Sequence, residues 1–222
     1  MKTILFLGSG NGGTLKFVSE AIKKHNLDLK IIAVVSDREC KALEYAKFCQ
    51  INYHKLKIKR DEQNELREVI LKYSPDVVIT NIHKILHENV ISIKGTTFIN
   101  LHYSLLPAYA GLIGMDTVEK AKKDNACFIG ATTHLVIKEV DKGTILGQCI
   151  TPTNWDVSSP KDYYEIIFKG GCLILLEQLT SLIENKSEKE YYKNYRNLEF
   201  NPSLSFNPNI FDVPFWDKIS NL

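Results

Sequence analysis

The run FINLHYSLLP, Phe98 to Pro107, sets an amide and an imidazole two residues apart in an otherwise apolar stretch. Successive strand side chains point to opposite faces, so Asn100 and His102 would look the same way at a strand end. One reading of such a pair is a satisfied hydrogen bond in the core. The other is that both groups serve one reacting centre. A second candidate lies upstream, where FLGSGNGGTLKFV joins an apolar run to a helical one. Gly8, Gly10 and Gly13 fit G-x-G-x-x-G, and Asp37 falls roughly where a dinucleotide site wants a carboxylate. A nicotinamide-binding Rossmann dehydrogenase is therefore a live hypothesis. The physics is broader, because glycines let backbone approach any anion and a helix N-terminus offers free N–H groups to any phosphate. A tight turn with no ligand is the third option. Downstream, Asp141 stands before Lys142-Gly143, where a carboxylate is most often a turn former, and His134 precedes it in a strand-like run.

The elements around these residues indicate how they are positioned. TILFLG, LKIIAVVSD, QINYHKL, PDVVITN and TTFINLH read as strands, with helical patterns at TLKFVSEAIKKH, CKALEYAKFCQ and RDEQNELREVILKY between them. Continuous β-branched runs separated by helices predict a Rossmann-like α/β fold, with a mostly parallel, twisted sheet covered on both faces. GMDTVEKAKKDN predicts a helix. CFIGATTHLVIKEV and GTILGQCITPT flank the turn signal DKG and predict an antiparallel hairpin late in the sheet. SPKDYYEIIFKGGCLILLEQLTSLIEN is a long helical pattern that Gly170-Gly171 should interrupt. From about Asn185 the composition shifts to Asn, Tyr, Phe and Pro. The expected organisation is a catalytic domain over 1–185 and an irregular C-terminal extension over 186–222. The extension's aromatics, Tyr191, Tyr192, Phe206, Phe215 and Trp216, could cover the surface, line a ligand pocket or form a subunit contact such as that of a homodimer.

Composition narrows the classes. The chain has 222 residues and a formal charge of +2, which argues against a large nucleic-acid footprint. No apolar run has the length needed to span a membrane, and the start lacks a signal-peptide pattern. The five cysteines, Cys40, Cys49, Cys127, Cys149 and Cys172, are scattered with no CxxC, so neither a disulfide framework nor a metal site is expected. The expected setting is a reducing cytoplasm.

Taken together, INLHYSLLP and GATTHLVIKEVDKGTILGQ resemble the folate-dependent formyltransferases, among them glycinamide ribonucleotide transformylase, methionyl-tRNA formyltransferase and the sugar N-formyltransferases. The shared pattern is an Asn-x-His strand end, a Ser/Leu/Pro loop and a later Asp before a Gly-containing turn, over about Lys2 to Leu182. The resemblance implies a one-carbon group transferase that uses 10-formyltetrahydrofolate as co-substrate, with Asn100, His102 and Asp141 catalytic. The formyl group leaves a tertiary nitrogen and is attacked by a primary amine. An amide N–H aimed at the developing oxyanion lowers the barrier, which suits Asn100. An imidazole can donate to that oxyanion or move the amine's proton, which suits His102. A carboxylate can hold the imidazole and organise a water, which suits Asp141. The resemblance also places the pterin along Ile82, His83, Lys84, Ile85 and Leu86, with Ile137, Lys138, Glu139, Val140 and Asp141 covering its other side. Gly10, Asn11, Gly12, Gly13 and Thr14 become the cradle for the acceptor's phosphate.

The departures from the family pattern cluster on the acceptor side. Asn11-Gly12-Gly13-Thr14 keeps the cradle but loses two side-chain donors of the glycinamide enzyme. Gly171 stands where that enzyme has an acidic residue in the late helix, and AGLIGMD lacks its two histidines. A changed acceptor, the amine of a nucleotide-linked amino sugar, is the expectation that follows, with glycinamide ribonucleotide as the alternative. A degenerate binding module is a third class, disfavoured by the intact Asn, His and Asp.

Overall fold

The computed structural model describes residues 1–183 and 190–221. The chain forms two compact units, Met1–Asn100 with Val136–Lys138 and the last helix, and Leu101–Leu135 with Glu139–Asp212. The first unit begins with β1 (Lys2–Gly8), α1 (Gly13–His25), β2 (Leu29–Ser36), α2 (Lys41–Phe48), β3 (Asn52–Lys55), α3 (Asn64–Tyr73), β4 (Val77–Asn81), the short α4 (Glu88–Ile91) and β5 (Thr97–His102), the last two residues of which belong to the second unit. Its strands run parallel in the order β3-β2-β1-β4-β5. Ile4, Leu5, Phe6 and Leu7 are all buried, as a parallel strand covered on both faces requires. Leu5 and Leu7 join a core with Leu66 and Ile70 of α3 and Val90 of α4. Gly12 precedes α1 at φ 72°, and a Cβ there would lie 3.0 Å from the Cα of Ala42, so the turn into α1 needs glycine.

The helix expected over 60–73 begins only at Asn64. Buried Gln63 is used otherwise: its Nε2 donates to the carbonyls of Lys59 and Ile85, both at 2.9 Å, and its Oε1 accepts the His87 N–H at 2.9 Å. That side chain pins the segment after β4.

The second unit holds α5 (Met115–Lys123), β6 (Phe128–Leu135), β7 (Ile145–Pro152), α6 (Pro160–Ser181), β8 (Tyr192–Tyr195) and β9 (Leu198–Leu204). β6 and β7 pair antiparallel, as expected of the hairpin. The first of these strands is shorter than its apolar pattern, because residues 136–140 leave the ladder.

Two expectations are corrected here. Helix α6 passes unbroken through Gly170-Gly171. The glycines are spacers rather than breakers: a Cβ at Gly170 would lie 2.7 Å from Cys149 Sγ, and one at Gly171 3.1–3.2 Å from Leu101, Ala131 and Tyr103. A Ser159–Asp162 capping box with Pro160 after it starts the helix firmly. Nor is the extension irregular. β9 pairs antiparallel with β7, through Cys149↔Phe200, and with β8, giving the order β6-β7-β9-β8. Buried Glu177 of α6 accepts the Ser205 N–H at 2.6 Å and its hydroxyl at 2.8 Å, which fastens the end of β9. The expected helix end and boundary near 185 lie outside the described residues.

The chain ends in α7 (Val213–Asn221), part of the first unit. There Trp216 stacks on Phe17 of α1 at 5.1 Å, with Phe215 edge-on at 5.9 Å. These two aromatics are core, so they do not form a ligand wall.

Candidate active site

Strand β5 delivers Asn100 and, two residues on, His102. Asn100 Nδ2 donates to the Thr80 carbonyl and, at 3.1 Å, to Thr80 Oγ1. The amide nitrogen is thus engaged within the strand pair, and the oxyanion donor expected here is turned onto Thr80. It would have to rotate to serve an oxyanion.

His102 is 8% exposed. Its Nδ1 lies 3.4 Å from Asp141 Oδ2, and its Nε2 lies 3.3 Å from the Tyr109 carbonyl. Burial drives its pKa below the ordinary imidazole value, Asp141 and the Tyr109 carbonyl oppose that, and His134 adds to it. Asp141 sits at φ 55° in the turn after β6. The turn is closely folded, since a Cβ on Gly143 would fall 1.7 Å from the Leu135 carbonyl oxygen. Burial pushes the Asp141 carboxyl up, but His134, the Gly111 N–H at 2.8 Å and His102 outweigh it, and the pKa falls below the usual carboxylate value. The loop from Ser104 to Gly111 is held in turn. The Leu106 N–H donates to Thr132 Oγ1 at 3.1 Å, and Thr132 Oγ1 donates to the Ser104 carbonyl at 2.6 Å.

Sequence reading left His134 as a strand residue, yet its Nε2 is 3.6 Å from Asp141 Oδ1. The available signal was strand alternation ending at a turn that folds Asp141 back over the strand end, and that fold-back has no sequence pattern of its own. Among the described residues no group of His, Cys, Asp and Glu is placed to hold a metal ion.

The other expected residues fall as follows. In the segment after β4, Ile82 and Leu86 are buried in the core, while His83, Lys84 and Ile85 are exposed. The His83 N–H donates to Ser9 Oγ at 3.3 Å, which ties this segment to the glycine loop. In that loop Gly10 and Asn11 are exposed, Gly12 and Gly13 half-buried and Thr14 buried. Gly12, the N-cap of α1, makes no side-chain cap hydrogen bond. Ile137, Lys138, Glu139 and Val140 are exposed, and Lys138 pairs with Glu88 at 3.7 Å. Asp37 does not fit the dinucleotide reading. Its carboxylate is gripped by Arg38 Nε at 2.9 Å and Nη2 at 2.7 Å, with Lys84 Nζ at 3.7 Å, and its side chain is only 7% exposed. A ribose hydroxyl would have to displace that clasp.

Residues 2–167 match the model of the family described as formyl transferase. The chain is 32% identical over 130 residues to the formyltetrahydrofolate deformylase of Bacillus subtilis, covering 56% of this chain and 42% of that protein. It is 31% identical over 156 residues to the phosphoribosylglycinamide formyltransferase of Escherichia coli, covering 67% of this chain and 72% of that one. The chain thus spans less than half the length of the deformylase. Among solved structures, the phosphoribosylglycinamide formyltransferase of Coxiella burnetii, in complex with CHES, superposes with a TM-score of 0.74 at 27% identity, covering 81% of this chain and 85% of that one. The match covers the β5 end, the glycine loop and the Asp141 turn in one stretch, and the chain belongs to the formyl transferase family.

Proposed function

We propose that this chain transfers the formyl group of 10-formyltetrahydrofolate to a primary amine, with His102 and Asp141 as the working pair. The observation that carries this reading is the buried His102–Asp141 contact at 3.4 Å, at the end of the Asn-x-His strand of a formyl transferase. The amine attacks the formyl carbon, a C–N bond forms, and an oxyanion develops. His102 Nε2 takes the amine's proton and passes it to N10 of the folate as the old C–N bond breaks. Asp141 holds the His102 ring and offsets its transient charge. Asn100 Nδ2, released from Thr80, donates to the oxyanion.

For the acceptor, relatives named for phosphoribosylglycinamide favour glycinamide ribonucleotide over the nucleotide-linked amino sugar expected from the sequence. One observation keeps the second reading in play. A Cβ at Gly171 would lie 3.1–3.2 Å from Leu101, Ala131 and Tyr103, so these neighbours would have to shift to take the acidic side chain that the glycinamide pattern has there. Water is the third acceptor, suggested by the relative named as a deformylase. The test is an assay with 10-formyltetrahydrofolate and, separately, glycinamide ribonucleotide, a panel of nucleotide-linked amino sugars, or buffer alone. Formylated ribonucleotide supports the main reading. A formylated sugar nucleotide moves the acceptor, and formate from buffer alone replaces transfer by hydrolysis.

A further inference from the structure

Asn81 is the last residue of β4 and lies in register with Gly8, the last residue of β1. The strand order β3-β2-β1-β4-β5 reverses between these two strands: β2 and β3 build out from one side of β1, β4 and β5 from the other. In an open parallel sheet, ligands bind outside the carboxyl ends of the strands at such a reversal. The residues before Asn81 follow the pattern of a covered strand, with Val77, Val78 and Ile79 all buried. An amide departs from that pattern, and Asn81 Oδ1 is buried with no hydrogen-bond partner among the described residues. The polar groups around it are satisfied. Thr80 Oγ1 donates to the Ile99 carbonyl at 3.3 Å and accepts from Asn100 Nδ2 at 3.1 Å. Ser9 Oγ accepts the His83 N–H at 3.3 Å. A buried acceptor without a donor costs stability, and an apolar side chain of similar size avoids that cost.

We infer that Asn81 is a specificity-determining residue, left unpaired in the free protein so that it can hydrogen-bond a hydroxyl on the sugar ring of a phosphorylated acceptor. The inference rests on the formyl-transfer reading for the ligand's role as acceptor, but not for its binding. Position decides which part of the ligand Asn81 meets. Gly8 leads into the glycine loop and then into α1, whose N-terminus suits a phosphate. A residue at the end of the neighbouring strand meets what the phosphate is attached to. In a ribonucleotide or a nucleotide-linked sugar, that is a ring carrying hydroxyls. A hydroxyl both donates and accepts. Asn81 is half-buried, and with no partner on its oxygen nothing fixes which end of the amide faces outward. Such an amide can therefore answer a hydroxyl in either sense.

The experiment is an NMR titration of the free protein with inorganic phosphate and, separately, with ribose 5-phosphate, in wild type, Asn81→Leu and Asn81→Ala. In the wild type the ribose ester should bind more tightly than phosphate. The ¹⁵N signal of the Asn81 side-chain amide should move with the ester and much less with phosphate. In both variants affinity for the ester should fall roughly three- to tenfold, the scale of one hydrogen bond, with phosphate affinity unchanged. Asn81→Leu should melt no lower than wild type, since it removes an unpaired buried acceptor. With glycinamide ribonucleotide, its KM should rise by a similar factor while the folate KM stays put. An Asn81 signal indifferent to the ester in the wild type, read without any variant, would overturn the inference. So would variants that melt lower yet bind the ester as the wild type does, which would make the amide structural. A protein that binds the ester through Asn81 but transfers no formyl group would uphold this inference and sink the functional reading.

Discussion

The two units are built by different rules. In the first, most strands are short apolar runs that pair parallel, with helices between them in the chain. In the second, β7 pairs with β9 across a long helix, and the helix lies close to its neighbours because two glycines clear the way. Where burial alone chooses an element, periodicity suffices. Where an element depends on a distant partner, composition can suggest the opposite of what forms.

That contrast can be tested from the second unit first. His102→Ala and Asp141→Ala should each lower kcat by roughly 10²- to 10⁴-fold, the usual range for a positioned proton carrier, with folding intact. Steady-state rates beside thermal melts separate chemistry from stability, and near wild-type turnover in His102→Ala would make it a core histidine.

The first unit's weak point lies where its sequence is least periodic. Trp216→Ala should cost about 3–5 kcal/mol by removing the ring stacked on Phe17. Denaturant titration measures this. A loss of acceptor affinity with unchanged stability would restore the tail as a substrate wall.

Gly170→Ala sharpens the spacer reading. In an exposed helix, alanine for glycine is favourable. Here the new methyl would meet Cys149 Sγ and Leu198, and overpacking should cost about 1–3 kcal/mol. Increased stability would show that the helix stands off its neighbours.

The smallest effect concerns β1. Asp76 accepts from the Thr3 N–H, the Thr3 hydroxyl and Lys2 Nζ, and the Lys2 contact and the Thr3 N–H lead in lowering its pKa to about 2 from 3.8. The unfolded chain therefore binds the proton first as pH falls. This clip's contribution is present above about pH 4 and fades as pH drops through about 2. An Asp76→Asn variant should lose that part of the acid dependence and little else.

Much of the site was legible in the sequence. Asn100 and His102 could be placed on one strand face by alternation alone, and Asp141 by resemblance. Three features were not. His134 joins the site through a turn whose geometry no motif encodes. Asn100 turns its amide nitrogen onto Thr80, a neighbour two elements away in sequence. Gly170-Gly171 looks like a helix breaker unless the packing against β7 and β9 is known. The strands β8 and β9 were hidden for a similar reason, because a stretch with several prolines and asparagines pairs only when β7 offers it an edge.

The claim that this fold moves a formyl group to an amine is tested most directly by following ¹³C-labelled formyl from 10-formyltetrahydrofolate in wild type and His102→Ala. The account predicts label in an N-formyl product with glycinamide ribonucleotide present, falling by the stated factor in the variant. Label found only in formate, or a rate indifferent to His102, would contradict it.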